Sequence, residues 1–400
     1  MTSFLQQRSP DVPVTRRHAL GLSIASLLAP LGLHAEQLKR QQRSCILVWL
    51  GGAPSQMETW DPKPGTANGG ETKAIKTALP GISIAEHWPR MAKALRQVAI
   101  IRSMVGKEAA HARGTYHLHT GRRMGTPEKH PNIGSVVAGE LGDVNSDLPN
   151  FVSIGKTLSS GFLGVNVAPF VINRAGQLPA NAATAVTSPR VARRLALLKA
   201  QDADLSAAGA AALVEEHRVL YERARRLMTS PKLKSFKLDG EPAARQQAYG
   251  KNRFGQGLLV ARRLIESGVP FVEVSKGGWD MHNRLFTRIK PAAAEVDRGV
   301  ATLLADLKQR GLLERTLVIV AGEFGRTPKV NSKTPAPGRD HWARNFNLLL
   351  AGAGIQGGRV VGKTSANGQE LVDRAVSVED LFQTICHAMK IDADKELYTP

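Results

Sequence analysis

Very little in this chain could support a disulfide framework. Its 400 residues include two cysteines, Cys45 and Cys386, too few for an exported protein braced by bridges. Cys45 opens the apolar run Cys45–Leu50 and Cys386 falls on an apolar helical face, so both read as buried free thiols rather than as a bridge. Acidic residues are also scarce. Asp and Glu total 34 against 54 Lys and Arg, a net charge of +20, so the surface attracts anions. Aromatic residues are not interleaved with the basic ones, which argues against a nucleic-acid surface. Paired Cys-x-x-Cys is missing, which excludes a compact zinc module. The glycine-rich segment Gly51–Asp61 lacks the Gly-Lys-Ser/Thr that a phosphate-binding loop requires. No internal repeat or low-complexity run stands out.

What is present begins with an export pattern. Thr15-Arg16-Arg17-His18-Ala19-Leu20 is a twin-arginine sequence, followed by an uncharged run from Ala19 to Leu33 that ends on Leu33-His34-Ala35. The run is too short for a comfortable membrane span. A signal peptide over 1–35 is expected, with cleavage after Ala35, export to the periplasm and no stable membrane span afterwards.

From there, short apolar strands alternate with amphipathic helices. Cys45–Leu50, Val98–Ile101, Phe151–Ile154, Phe271–Val274, Leu317–Ala321 and Asn347–Ala351 read as strands. Phe254–Ser267, Pro291–Arg310 and Val378–Lys390 read as helices, the last with a capping box over Ser377–Asp380. Continuous apolar strands with helical crossovers predict an α/β fold, a mostly parallel sheet covered on both faces. The stretch of about 189–250 is rich in Ala, Leu, Arg and Glu and reads as a helical insertion within one domain over 36–400, with Val214–Met228 as its long helix.

The chemistry concentrates just beyond two of the strands. Phe271–Val274 runs into Gly277-Gly278-Trp279-Asp280-Met281-His282, and Leu317–Ala321 into Gly322-Glu323-Phe324-Gly325-Arg326, then Arg339-Asp340-His341-Trp342. In open α/β sheets, ligands collect outside the carboxyl ends of strands. Asp280 and His282, two apart, point the same way on an extended segment. They suit either a surface turn or a metal site, and Glu323 and His341 tip the balance towards a divalent metal. Zinc comes first, ahead of manganese, calcium or iron. A second cluster, His111 to Arg123, offers three histidines and three arginines for an anion beside a metal; the plainer alternative is a solvated basic helix start. His111 and Arg122 rank above His117 and His119 there, because the latter two can simply straddle a helix.

Gly51-Gly52, Asp61-Pro62-Lys63-Pro64, Thr120-Gly121-Arg122, Trp279–His282, Gly322–Pro328 and Arg339–Trp342 together resemble the bacterial domain-of-unknown-function family numbered 1501. That family is abundant in planctomycetes and commonly begins with a twin-arginine signal. The resemblance implies the alkaline phosphatase and sulfatase superfamily fold, a three-layer α/β/α sandwich with metal at the strand ends. On it, Asp280, His282 and His341 match the Asp, His, His set of one metal, and Glu323 falls where a second metal has its acid. Phe324 stands where that superfamily has a histidine. Gly51 and Gly52 stand where it has an acid after the first strand, with Glu58 and Asp61 only later. The nucleophile position falls near His111, and Thr115 is the nearest hydroxyl. Arg122 and Arg326 are the candidates to neutralise charge on an anion.

The resulting expectation is an exported metal-dependent hydrolase of phosphate or sulfate esters, acting on an anionic small molecule or polysaccharide ester and not on nucleic acid. Its alternative is a non-catalytic sulfatase-like protein that binds acidic polysaccharide or a protein partner.

Overall fold

The computed structural model describes residues 43–179, 182, 188–331 and 336–399. The expected signal peptide and its cleavage site at Ala35 lie outside the described residues. No described helix is long and apolar enough to cross a membrane.

The central sheet is built from β1 Ser44–Trp49, β2 Val98–Val105, β3 Phe151–Ile154, β4 Phe170–Ile172, β5 Phe271–Ser275, β6 Thr316–Ala321, β7 Phe346–Ala351, β8 Arg359–Val361 and β9 Val376–Ser377. Their order is β8-β2-β7-β6-β1-β5-β3-β4, with β9 also pairing β2. All pairs are parallel except the two made by β7. The six strands legible in the sequence are all present; β4, β8 and β9 are two or three residues long and carry too little apolar pattern to announce themselves.

Strand β1 shows why the sheet needs two covering layers. All six of its residues are buried. Ile46 and Val48 join one core cluster while Cys45, Leu47 and Trp49 join the other, as the two-residue period of a strand demands. One face is covered by helices α1 Pro89–Ala94, α7 Arg253–Glu266 and α8 Leu285–Gln309, the other by α3 Ile133–Leu141 and α9 Val378–Met389. The molecule is therefore a three-layer α/β/α sandwich. Asn252 caps α7 through Gly255 N, 2.8 Å, and Ser377 with Asp380 forms the expected capping box of α9.

Helix α8 corrects one expected boundary. It begins at Leu285, not at Pro291, which lies inside it. Proline in a helix interior removes one hydrogen bond and costs about 3 kcal/mol. The stripe Phe286, Ile289, Ala293, Val296, Val300, Leu303 and Leu307, all buried, keeps helical spacing across the proline and offsets that cost.

Beyond β4 lie α4 Ser188–Leu205 and α5 Ala211–Thr229, followed by the short α6 Ala243–Tyr249. Leu197 and Leu213 are largely exposed. Arg223 Nη1 donates to the carbonyls of Val165 and Asn166, and Arg226 to that of Val144, fixing the C-terminal half of α5 to its neighbours. Cys45 is a buried free thiol, whereas Cys386, expected to be buried, is a half-buried one; burial pushes both up in pKa.

Candidate metal centre

Four segments meet at the carboxyl ends of β1, β5 and β6. Beyond β1, Gly52 takes φ +109°, and a Cβ there would lie 2.5 Å from the Asp280 amide nitrogen. Only glycine admits both the backbone and the contact. Its N–H donates to Glu323 Oε1 at 2.9 Å, so the loops after β1 and β6 are tied together. Beyond β5 the chain turns through Gly277 and Gly278 to present Asp280 and His282. Beyond β6, Gly325–Arg326 pairs antiparallel with His341–Trp342, with His341 opposite Arg326. The fourth segment is helix α2, His111–Thr120, which begins on His111. Gly114 lets it close on Phe324, whose ring would lie 2.8 Å from an added Cβ.

The resulting contacts are dense. His111 Nε2 lies 3.4 Å from Asp280 Oδ2, while Asp280 Oδ1 lies 3.0 Å from His282 Nε2 and 3.4 Å from His341 Nε2. His111, Asp280 and His341 each offer a ligand atom, all within 4.8 Å of one another. Each imidazole is oriented from behind through Nδ1: His111 by Glu323 at 2.6 Å, His282 by Asp340 at 2.9 Å, and His341 by the carbonyl of Ala109 at 2.7 Å. With Nδ1 donating in those bonds, each imidazole in its neutral form offers an Nε2 lone pair. His111 Nε2 is buried without a hydrogen-bond partner. The Nε2 atoms of His282 and His341 face each other at 3.0 Å, a contact that either a shared proton or a bound cation satisfies. Phe324 stacks near both His341 and His111, at 4.9 and 5.1 Å, as an apolar wall.

Asp280 pairs with the guanidinium of Arg326, while Glu323 and Asp340 pair with His111 and His282. Burial works against ionised Asp280, but the bond and charge of Arg326, with His282 and His111, hold its carboxyl down at about 2. Burial pushes the His341 imidazole down and outweighs its bond to Ala109, with Arg326 and His111 adding repulsion. Burial likewise lowers Arg326 against the pull of Asp280.

Arg326 is not placed to meet an anion. It is 1% exposed; Nε donates to Ala53 O at 2.8 Å, Nη1 to Arg339 O at 3.2 Å, and Nη2 to Gly52 O and to Asp280 Oδ1, the latter at 2.6 Å. Its donors orient Asp280 and brace two loops. Glu323 lies behind His111 as its hydrogen-bond partner. Arg122 follows the far end of α2, and a helical rise of 1.5 Å per residue separates the two ends by about 14 Å. Arg122 instead lines a separate cavity of about 830 Å³ with α9 and the C-terminal residues. Thr115 lies one turn along α2 from His111, and its carbonyl accepts from His119 Nδ1 at 2.9 Å. The acids after β1 are engaged elsewhere: Glu58 with Arg339, and Asp61 with Lys63, Arg102 and Thr364.

Two features escaped the sequence reading. Asp340 orients His282, and its place directly before His341 was the available signal. His119 and Glu273 form a buried pair at 3.3 Å that docks the end of α2 onto β5, with Thr157 donating to Glu273 at 2.6 Å. Burial disfavours the His119 imidazolium, yet Glu273 raises its pKa overall.

The family model described as "Protein of unknown function (DUF1501)" matches residues 42–400. The chain belongs to the DUF1501 family. No curated protein matches its sequence. Among solved structures, the DUF1501 chain is similar to the PsFucS1 sulfatase from Pseudoalteromonas sp., at 14% identity and TM-score 0.45 over 93% of this chain and 72% of that one. It is similar also to the phosphonate monoester hydrolase of Agrobacterium radiobacter, at 11% identity and TM-score 0.44 over 89% and 75%. A third is the lipoteichoic acid synthase LtaP from Listeria monocytogenes, at 7% identity and TM-score 0.42 over 89% and 74%. The chemistry open to this DUF1501 chain follows from its own side chains.

Proposed function

We propose that this DUF1501 protein is an exported, metal-dependent hydrolase of phosphate or sulfate esters. The observation that carries the reading is the grouping of His111, Asp280 and His341, with a ligand atom of each within 4.8 Å of the others, and of His282 Nε2 at 3.0 Å from both Asp280 Oδ1 and His341 Nε2. Three imidazoles and one carboxylate form a zinc-type donor set, with manganese or iron next. Calcium, which takes six to eight oxygens, does not suit it.

On this reading Asp280, His111, His282 and His341 hold the ion, and Glu323 and Asp340 fix the tautomers of His111 and His282. A divalent ion there supplies Lewis-acid polarisation of an ester oxygen and a lowered pKa for water. His111 has Nδ1 committed to Glu323 and Nε2 turned to Asp280, so it serves as a ligand rather than as a nucleophile. Water is the attacking group. The half-exposed faces of Asp280, His282 and His341 leave the centre open to an anionic small molecule or a polysaccharide ester, drawn in by the basic surface. Export by the twin-arginine route rests on Arg16 and Arg17 with the uncharged run that follows.

The full engagement of Arg326 favours a second reading, a metal-holding binder of acidic polysaccharide or a partner. Metal analysis of the purified chain, with a panel of chromogenic phosphate and sulfate esters, separates the two. The hydrolase is expected to hold one divalent ion per chain, and His282→Ala and His111→Ala should each lose metal and hydrolysis together. A wild-type protein that holds metal yet turns over no ester in the panel would favour the binder. One that holds no metal after supply of zinc or manganese would refute both.

A further inference from the structure

The segments after β1 and β6 are joined through a buried ion pair, Arg339 with Glu58. Arg339 and Glu58 are both fully buried, and burying an ion pair is costly unless every donor and acceptor is met. Here they are met. Nε and Nη2 of Arg339 donate to Glu58 Oε2 at 2.9 Å and Oε1 at 2.8 Å. The second Nη2 hydrogen goes to Asn68 O at 2.8 Å, and Nη1 donates to Thr327 O at 3.2 Å and to Pro328 O. All five guanidinium donors are used, a pattern that the three donors of a lysine ammonium cannot reproduce.

The main chain of the same residue reaches the ligand segments. Arg339 N donates to Met281 O at 3.2 Å, between Asp280 and His282. Arg339 O accepts from Arg326 Nη1 at 3.2 Å, the guanidinium that holds Asp280. Its chain neighbours Asp340 and His341 are, respectively, the partner of His282 and a ligand. Gly338, just before it, packs so tightly that an added Cβ would lie 2.2 Å from the carbonyl carbon of His282. From the other side, Glu58 is held by Thr72 Oγ1 at 3.2 Å, and its carbonyl accepts from Trp88 Nε1 at 2.9 Å. The pair thus ties Arg339, Thr327 and Pro328 to the segment after β1.

We infer that the Arg339–Glu58 pair is a positioning latch that sets the metal affinity of the centre, holding the Asp280–His282 and Asp340–His341 segments in mutual register. Glu58 acts through Arg339 and is not a ligand of a second ion. The inference rests on the metal reading above, and its test carries a readout that does not.

Glu58→Gln keeps the volume and removes the charge; Arg339→Lys keeps the charge and removes the planar donor fork. In the full chain, each is expected to weaken zinc binding about tenfold or more by chelator competition, the usual scale for groups that orient metal ligands, with the number of ions per chain unchanged. Amide hydrogen exchange in the metal-free protein should speed up at 280–282 and 339–341 while the β1 and β6 strands stay protected. Arg339→Ala should regain part of its zinc affinity on addition of methylguanidinium. Zinc affinity within threefold of wild type in both variants, well below their melting temperatures, would reduce the pair to a stability element and overturn the inference. Loss of one ion per chain in Glu58→Gln would overturn it differently, by making Glu58 a ligand. If the wild type binds no metal, the metal reading fails, and the exchange pattern alone decides whether the latch exists.

Discussion

Asp280 and His341 respond to acid at different points, and the difference predicts how the centre fails. Asp280, held near 2 against its ordinary 3.8, stays ionised over the whole range in which the fold is exposed to mild acid. Its contribution to stability is present above pH 3.8 and is lost only as pH falls through about 2. The imidazoles must be neutral to offer Nε2, and burial pushes His341 below its ordinary 6.5. Acid release of the ion is therefore expected from imidazole protonation, with a midpoint below the ordinary 6.5. Asp280→Asn should weaken binding and so move that midpoint to higher pH, because a weaker site yields its ion to fewer protons. A titration of bound metal against pH checks this; an Asp280→Asn midpoint equal to that of the wild type would remove the carboxylate from the ligand set.

The centre is assembled from segment ends, each set by a local rule. Gly52 is the clearest case, because its left-handed backbone and its contact with the Asp280 amide act together. Gly65 shares a positive φ, +75°, but has open space around the missing Cβ. Gly65→Ala should cost only the backbone strain, about 1 to 2 kcal/mol. Gly52→Ala adds to its backbone strain a clash that must displace the Trp279–Asp280 backbone, so it should cost more in melting temperature and also lower metal affinity about tenfold or more. Thermal melts and chelator competition on the two variants check the pairing; equal effects on metal binding would show that the close approach is not what places Asp280. Helix α2 obeys a related logic. His111 and His119, both facing carboxylates at the sheet's carboxyl edge, pin it at both ends, and Gly114 sets its distance from Phe324.

For the molecule as a whole, the export reading stands on the guanidinium pair. Changing Arg16 and Arg17 together to Lys keeps the charge but removes the planar groups that twin-arginine recognition reads. The precursor should then accumulate in the cytoplasm, and fractionation with the size of the accumulated chain checks it; normal processing near Ala35 would remove the assignment. What the sequence determined by itself was the repeating apolar pattern: six strands with both faces buried, the helices between them, the capping box of α9 and the two free thiols. These depend on periodicity and on neighbours a few residues away. That Asp280, His282 and His341 would come near one another was legible as well, because the segments that follow β5 and β6 are delivered to a common edge. What only the tertiary structure decided was which partner each side chain takes. Glu323 turned out to orient His111, Arg326 to hold Asp280, Arg122 to lie beyond the far end of α2, and Glu58 to be consumed by Arg339 across 281 positions of chain. Such pairings are chosen by three-dimensional proximity and by the cost of leaving a buried charge or donor unmet, and neither quantity is written in the local pattern of residues.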